Sequence, residues 1–353
     1  MRVLQLIDSL NPGGAERMAV NIANALAGRV EGSFLCATRQ EGGLRDTISP
    51  EIGYLFLRKR KTVDLSALLR LKRFVTENSI DIVHAHTTSY FLATQLKLVK
   101  PGLKLVWHEH HGARIHSKKK KNRVLVKVAK RFDHIITVNP DLNDWWSAYI
   151  DHSKISYYPN FVRNTQLSVV QQDRNKQVIC LANLRHPKDH MNLVEAFKRV
   201  HAEYPEWELI LIGKDLEDAY SKEVKSFIEN NGLGQRVMLT GQLTDVEDRL
   251  QQGSIGVLSS SSEGLPMALL EYGMAGLAVV STNVGNCAEV ITNFGKVVPP
   301  ADSEALANTI SMYIADPESR ARDAAAFRNH ISEHYSEKAV LEGIIDIYSR
   351  LKS

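Results

Sequence analysis

The chain holds 353 residues, 44% of them apolar and 24% charged, which suits about two domains with their own cores and excludes a disordered chain or a fibrous repeat. The formal net charge of +4 hides an asymmetry: residues 1–165 carry 26 Lys and Arg against 14 Asp and Glu, and residues 166–353 carry 18 against 26. The three cysteines, Cys36, Cys180 and Cys287, form no CxxC pair, which argues against a disulfide framework or a thiolate zinc site and points to a reducing cytoplasmic compartment.

The N-terminus, MRVLQLIDSLNPGG, has too short an apolar run for a signal peptide and reads as a strand entering a turn. Strands are predicted at Val3–Ile7, Ser33–Thr38, Tyr54–Leu57, Asp81–His86, Lys104–His110, His134–Asn139 and Ile155–Tyr158. After a polar seam, Phe161–Lys176, the pattern restarts with Gln177–Asn183, Glu208–Gly213, Arg236–Gly241, Ile255–Ser259, Ala278–Asn283 and Lys296–Pro299. Helical periodicity between them covers Ala15–Leu26, Leu65–Asn78, Asn192–Glu203 and Met267–Met274, then Ser303–Ala315, Glu318–His334 and Glu337–Leu351. The apolar stretch from Leu265 to Val284 carries Glu271 and two glycines, so it reads as a helix and a strand rather than a membrane span. Near-continuous apolar strands alternating with helices mean parallel sheets covered on both faces. The expected class is therefore α/β with two doubly wound, Rossmann-like domains, 1–163 and 164–335, and a C-terminal helix, 336–353, packing back on the first. A ligand is expected in a cleft between them, at strand carboxyl ends.

Several segments carry chemistry at those ends. Asn11–Glu16, NPGGAE, joins the first strand to the first helix; Gly13 and Gly14 let backbone amides approach a phosphate or an acceptor, whereas an ordinary turn explains them equally in sequence terms. It is not GxGxxG, and no P-loop occurs. Six of the 13 histidines fall between His84 and His116. Residues i and i+2 of a strand share a face, so His84/His86 and His108/His110 are expected to converge, either as a metal site or as polar lining. The loop LANLRHPKDH follows the strand from Gln177 and offers Arg185 and Lys188 to a diphosphate. Ser259–Glu271, SSSSEGLPMALLE, ends a strand in serines and opens a helix, with Pro266 suited to its first turn and Gly264 to a close approach. Glu271 lies eight residues after Glu263 and is expected near it on one helix face.

EGLPMALLE resembles the Glu-x7-Glu signature of retaining, family-4-type glycosyltransferases with the two-Rossmann GT-B fold, and the likeness extends to Gly13–Glu16, DIVHAH, YPN and AEVI. The resemblance implies that Glu263 contacts donor-sugar hydroxyls, that Glu271 binds the nucleotide ribose, and that backbone groups of Gly264, Leu265 and Pro266 flank sugar and phosphates. It places Lys188 at the diphosphate, puts Asn183 where the family has arginine, and leaves Arg185 as the substitute. It assigns one histidine near the donor sugar to His110 or, one residue on, His111. The acceptor side then draws on Glu16, His86 and His111, with Gly13 and Gly14 at the donor.

The implied activity is transfer of a sugar from a nucleoside-diphosphate sugar, a co-substrate, to a glycan or lipid-linked acceptor, with no metal and no cofactor. The basic first half, including Lys118, Lys119, Lys120 and Lys121 and the run Arg58–Lys61, suits an anionic membrane surface or a polyanionic acceptor better than nucleic acid. The alternatives are a metal-dependent hydrolase using the His84–His116 cluster, a sugar-nucleotide epimerase, and a non-catalytic sugar-nucleotide-binding module.

Overall fold

A computed structural model of the chain describes residues 1–111, 122–163, 174–243 and 246–353. Two compact units result: Met1–Arg163 joined by Glu337–Ser353, and Asn164–Ser336. Among the described residues no helix is long and apolar enough to cross a membrane.

The first unit is a parallel sheet of seven strands: β1 (Arg2–Ser9), β2 (Gly32–Gln40), β3 (Gly53–Phe56), β4 (Ile82–His86), β5 (Lys104–Glu109), β6 (His134–Thr137) and β7 (Ile155–Tyr157). Their order is β3-β2-β1-β4-β5-β6-β7, so the winding reverses between β1 and β4. Alternation along each strand feeds two cores. Leu4, Leu6, Val83, Ala85, Leu105 and Trp107 face one side, under α2 (Leu65–Glu77) and α3 (Tyr90–Val99). Val3, Ile82, Val106 and Ile136 face the other, under α1 (Gly14–Leu26) and the C-terminal helix, here α13 (Glu337–Lys352). Val340, Leu341, Ile344, Ile347 and Tyr348 recur at helical spacing and bury this one stripe of α13, each contributing about 1.5–3 kcal/mol of apolar burial.

The second unit repeats the plan with β8 (Gln177–Leu181), β9 (Glu208–Ile212), β10 (Val237–Gly241), β11 (Ile255–Leu258), β12 (Ala278–Thr282) and β13 (Lys296–Val298). Their order is β10-β9-β8-β11-β12-β13, again parallel, with the reversal between β8 and β11. Val178, Cys180, Leu209, Leu211, Val257 and Val280 form one core with helix α6 (His190–Glu203) and α11 (Ser303–Ala315). On the opposite face Tyr272, on α9 (Met267–Ala275), lies over Gly256, where an added Cβ would stand 2.6 Å from the ring. Its hydroxyl donates to Val257 O at 3.1 Å and accepts from Leu181 N at 2.6 Å, pinning α9 to β8 and β11. Two parallel, doubly wound α/β sheets are thus present, as expected.

One expectation about charge is corrected. The lysine run is followed by α4 (Arg123–Ala129), in which Leu125 and Ala129 are buried and Val124 is 74% exposed. Lys118–Lys121 and His116 lie outside the described residues. In the run Arg58–Lys61, Lys59 is not a solvated cation: it is 6% exposed, and burial, then the charge of Arg39, lowers its pKa.

Candidate active site

In open parallel sheets the reversal point leaves a crevice at the strand carboxyl ends, where ligands gather. In the second unit the loops there are those after β8 and β11, and they carry the strongest sequence signals. Asn183–Asp189 leaves β8 through a short 3-10 turn, His186–Lys188. Asp189 ends it in the left-handed region, at φ 48° and ψ 52°, and caps α6. A non-glycine residue there is strained, and such strain gathers at functional sites. The turn aims Lys188 back at the loop after β11, where Lys188 Nζ donates to Glu263 Oε1 at 2.5 Å. Ser260 Oγ donates to the same oxygen at 2.6 Å. The two loops are laced further by Ser259 Oγ to Lys188 O at 3.0 Å and Ser261 N to Pro187 O at 2.9 Å. With side chains 18% and 10% exposed, Lys188 and Glu263 form a nearly desolvated pair, although 75 residues separate them.

Glu263 and Glu271 do not share a helix face. Glu263 lies in the irregular turn before α9, and Pro266 is its extended N-cap (φ −76°, ψ 116°) rather than a residue of its first turn. A proline fits there because the cap needs no helical backbone. Glu271 stands in the second turn of α9, half-buried beside the anchored Tyr272. Asn183 Oδ1 accepts from Lys214 N at 2.9 Å, so this side chain shapes the β8 and β9 loops. Arg185 is exposed and makes no side-chain hydrogen bond or ion pair among the described residues. Leu265 and Pro266 are buried, and Gly264 O accepts from Asn286 N at 3.1 Å.

That last contact reveals a residue the sequence reading missed. Gly285 follows β12 with φ +51°, and a Cβ there would lie 2.2 Å from Glu263 O and 2.8 Å from Glu263 C. The only sequence signal is a glycine in a turn after a strand. Gly285→Ala is expected to cost about 3 kcal/mol or more, combining left-handed strain of about 1–2 kcal/mol with a backbone collision. Gly232→Ala, with φ +70° and nothing within 4 Å, carries the strain alone. Urea unfolding of the two variants checks this; equal losses would remove Gly285 as the brace of the Glu263 turn.

In the first unit, Gly13 is the extended N-cap of α1 and Gly14 its first residue. Glu16, in the first turn of α1, folds its carboxylate back toward Gly13, where an added Cβ would meet Oε2 at 2.4 Å. Beside it, Asp8 at the end of β1 accepts from Thr38 Oγ1 at 2.5 Å and from Thr88 Oγ1 at 2.6 Å. His111 is exposed and turns to Glu109, with Nδ1 3.1 Å from Glu109 Oε1.

His84, His86, His108 and His110 do converge. The rings of His84 and His86 stack with centroids 4.6 Å apart, those of His84 and His108 at 5.1 Å, and those of His108 and His110 at 4.2 Å. Burial pushes the pKa of His84 down to about 3, and holds His86, His108 and His110 well below the usual imidazole range. The stack is therefore neutral at pH 7. His108 is fully buried and neither ring nitrogen has a hydrogen-bond partner among the described residues. His86 is corrected from an acceptor contact: it is fully buried with both nitrogens engaged, one of them to His110 at 3.1 Å.

Two family models match the chain, Glycosyltransferase Family 4 over residues 12–166 and Glycosyl transferases group 1 over residues 164–330. The lipopolysaccharide core biosynthesis mannosyltransferase LpcC of Rhizobium leguminosarum bv. viciae is 26% identical over 49% of this chain and 50% of its own length. The UDP-Gal:alpha-D-GlcNAc-diphosphoundecaprenol alpha-1,3-galactosyltransferase of Escherichia coli is 24% identical over 64% of each chain. The chain thus spans half to two thirds of these relatives. Among solved structures, Anabaena Alr3699/HepE in complex with UDP and glucose matches 99% of both chains at TM-score 0.84 and 21% identity. A glycosyltransferase from Rickettsia africae ESF-5 matches 99% of this chain and 98% of its own at TM-score 0.79 and 16% identity, and both likenesses concern the fold. With two glycosyltransferase models running in tandem over residues 12–330, and the same pair of parallel sheets in these structures, the chain belongs to the family-4-type glycosyltransferases of the GT-B fold.

Proposed function

We propose that the protein is a retaining glycosyltransferase that moves a hexose from a nucleoside-diphosphate sugar to a glycan or lipid-linked acceptor in cell-surface polysaccharide synthesis, on the cytoplasmic side and without metal or cofactor. The observation that carries this reading is the Lys188–Glu263 pair at the reversal point of the second sheet. Departure of a nucleoside diphosphate builds negative charge, and a preorganised, poorly solvated ammonium lowers that barrier more than a hydrated one. Glu263 Oε1 already accepts two hydrogen bonds, which suits orienting sugar hydroxyls rather than attacking carbon. Arg185, without a side-chain partner among the described residues, is the second cation for the diphosphate. Glu271 takes the ribose, and the backbone of Gly264–Pro266 flanks the sugar and phosphates. The family resemblance assigns Gly13 and Gly14 to the donor, His110 to the sugar and His111 to the acceptor. The acceptor oxygen attacks the face that the diphosphate leaves, and a diphosphate oxygen takes its proton.

The UDP and glucose bound by HepE, and the UDP-galactose named for the Escherichia coli relative, put uridine nucleotides first in the test. In a thermal-shift panel of UDP, GDP, ADP, CMP and NAD, one nucleoside diphosphate is expected to raise the melting temperature equally with and without EDTA, by about 2.7 kcal/mol of added stability at 100 times its Kd. The same protein is expected to pellet with anionic vesicles at low salt; loss on neutralising Lys118–Lys121 assigns the contact to that run, and no binding removes the membrane surface from the reading.

A metal-dependent hydrolase is the second reading, because His84, His86 and His108 bring one nitrogen each within 4.8 Å of one another. The ring planes argue for the first. His84 and His108 lie within 8° of parallel and His84 and His86 within 21°, so their in-plane lone pairs run side by side instead of meeting at one tetrahedral centre. Destabilisation by EDTA with no shift from any nucleotide would establish the hydrolase instead. Binding without turnover would leave a sugar-nucleotide-binding module.

A further inference from the structure

Tyr348 of α13 and four side chains of the first unit's sheet and its β5 loop form one continuous line of hydrogen bonds. His110 Nε2 and His86 Nδ1 are 3.1 Å apart, and His86 Nε2 is 2.9 Å from Gln5 Oε1. Gln5 Nε2 then reaches Tyr348 Oη at 3.4 Å, and Tyr348 Oη meets His84 Nδ1 at 2.5 Å. The line joins β4 to β1 and to the last helix, and Gln5, His84 and His86 are all fully buried. Its direction follows from valence. The amide oxygen of Gln5 only accepts, so His86 carries its proton on Nε2. A neutral imidazole has one N–H, so His86 Nδ1 is bare and accepts from His110 Nε2. At the other end the Gln5 amide donates to Tyr348, whose own proton goes to His84 Nδ1. The reverse direction requires the Gln5 amide to turn over and every proton on the line to move with it. Within this line Gln5 is the residue hydrogen-bonded to both halves.

We propose that Gln5 and Tyr348, acting through His86, fix His110 as its Nε2–H tautomer and fix the plane of its ring, which makes β1 and the C-terminal helix positioning elements for sugar transfer. The catalytic half of this rests on the assignment of His110 to the donor side. His110 Nδ1 is itself buried and Asn160 is a hydrogen-bonding neighbour of the ring, so the line fixes which nitrogen carries the proton and the plane in which the ring lies. A wrong tautomer therefore reverses the donor and acceptor character of both ring nitrogens while leaving the Lys188–Glu263 pair untouched.

Long-range 1H–15N spectra of the full chain labelled at histidine distinguish protonated from bare ring nitrogens. Wild type is expected to show His110 with a protonated Nε2 and a bare Nδ1. Gln5→Met removes both amide groups and is expected to give a mixture of tautomers at His110, with kcat for nucleoside-diphosphate release from UDP-, GDP- or ADP-sugars down about 10- to 100-fold at unchanged donor KM. Gln5→Glu keeps an acceptor for His86 Nε2–H and is expected to restore the Nε2–H tautomer and most of the rate, which a role in packing alone would not produce. Tyr348→Phe, lacking one hydroxyl, gives the same test with little risk to folding. A protonated Nδ1 in wild-type His110, or variants that leave both tautomer and kcat unchanged, overturns the proposal. If no sugar nucleotide is turned over by wild type, the transferase reading fails, and the spectra still decide whether Gln5 and Tyr348 set the tautomer.

Discussion

Lys188→Met is expected to lower kcat/KM about 10²–10³-fold, and Glu263→Gln by a similar factor, with the larger loss of stability in the first, because Lys188 is the more exposed of the two charges and keeps an acceptor in the glutamine. The difference lies in what each change leaves behind. Lys188→Met strands a carboxylate that is 10% exposed, with a serine hydroxyl as its remaining partner, and an uncompensated charge in such a place costs about 2–3 kcal/mol. Glu263→Gln leaves an amide oxygen that still accepts from Ser260 and Lys188, so the loops stay laced while the charge that orients sugar hydroxyls is gone. The double variant Lys188→Met/Glu263→Gln is expected to regain most of the lost stability and none of the activity. Residues in direct contact are not additive, and the sign of the coupling in urea unfolding, set against kcat/KM of the same four proteins, separates a structural pair from a functional one. Full activity in Glu263→Gln would remove that residue from the donor site. Unaltered nucleoside-diphosphate affinity in Lys188→Met would remove the cation from the diphosphate.

Much of this site was legible because its signals are local. A strand that ends in serines and opens into a proline-capped helix names its own turn, and a cationic loop after the first strand of a repeated α/β pattern names its own end of the sheet. The pairing of Lys188 with Glu263 was not legible, since it arises from β8 and β11 being neighbours across the reversal of the sheet. The eight-residue spacing of Glu263 and Glu271 misled for a physical reason: helical periodicity was extended through Pro266, where the backbone is still extended. Gly285 escaped because its importance is a close approach to a carbonyl made by another loop. The histidines were the opposite case. Their i, i+2 spacing correctly put two pairs on one sheet face, but the residues that connect them, Gln5 and Tyr348, are 343 positions apart and meet only because α13 closes the first unit. Nothing local to Tyr348 distinguishes it from an apolar helix stripe.

The same stack makes the first unit acid-labile. In the folded chain burial holds His84 at about 3 and His134 at about 4, and keeps His86, His108 and His110 well below their ordinary value. Once unfolded, each imidazole titrates near 6.5. Below that pH the unfolded chain binds protons that the folded one refuses. The stability these residues give is therefore complete above about pH 6.5 and is lost as pH falls toward their folded values. Each such group contributes a slope of up to about 1.4 kcal/mol per pH unit, so four in one stack exhaust a total stability of about 5–15 kcal/mol within roughly one to three units. The second unit holds only His190, at about 4, as a comparably buried imidazole among the described residues, and is expected to outlast the first. Trp107, Trp145 and Trp146 report on the first unit and Trp207 on the second, so tryptophan fluorescence is expected to change mainly near pH 4–5.5, ahead of the remaining helical circular dichroism. His108→Leu gives the sharper comparison. It removes a ring whose two nitrogens are buried without partners, so at pH 7.5 it is expected to be neutral or stabilising by about 1 kcal/mol. At pH 5 its advantage is expected to grow by about 2 kcal/mol, because one proton acceptor of the unfolded chain has gone. An advantage that stays constant from pH 7.5 to 5 would mean that protonation of the stack does not drive the transition, and the acid lability would then have to originate in His134 or in the carboxylates.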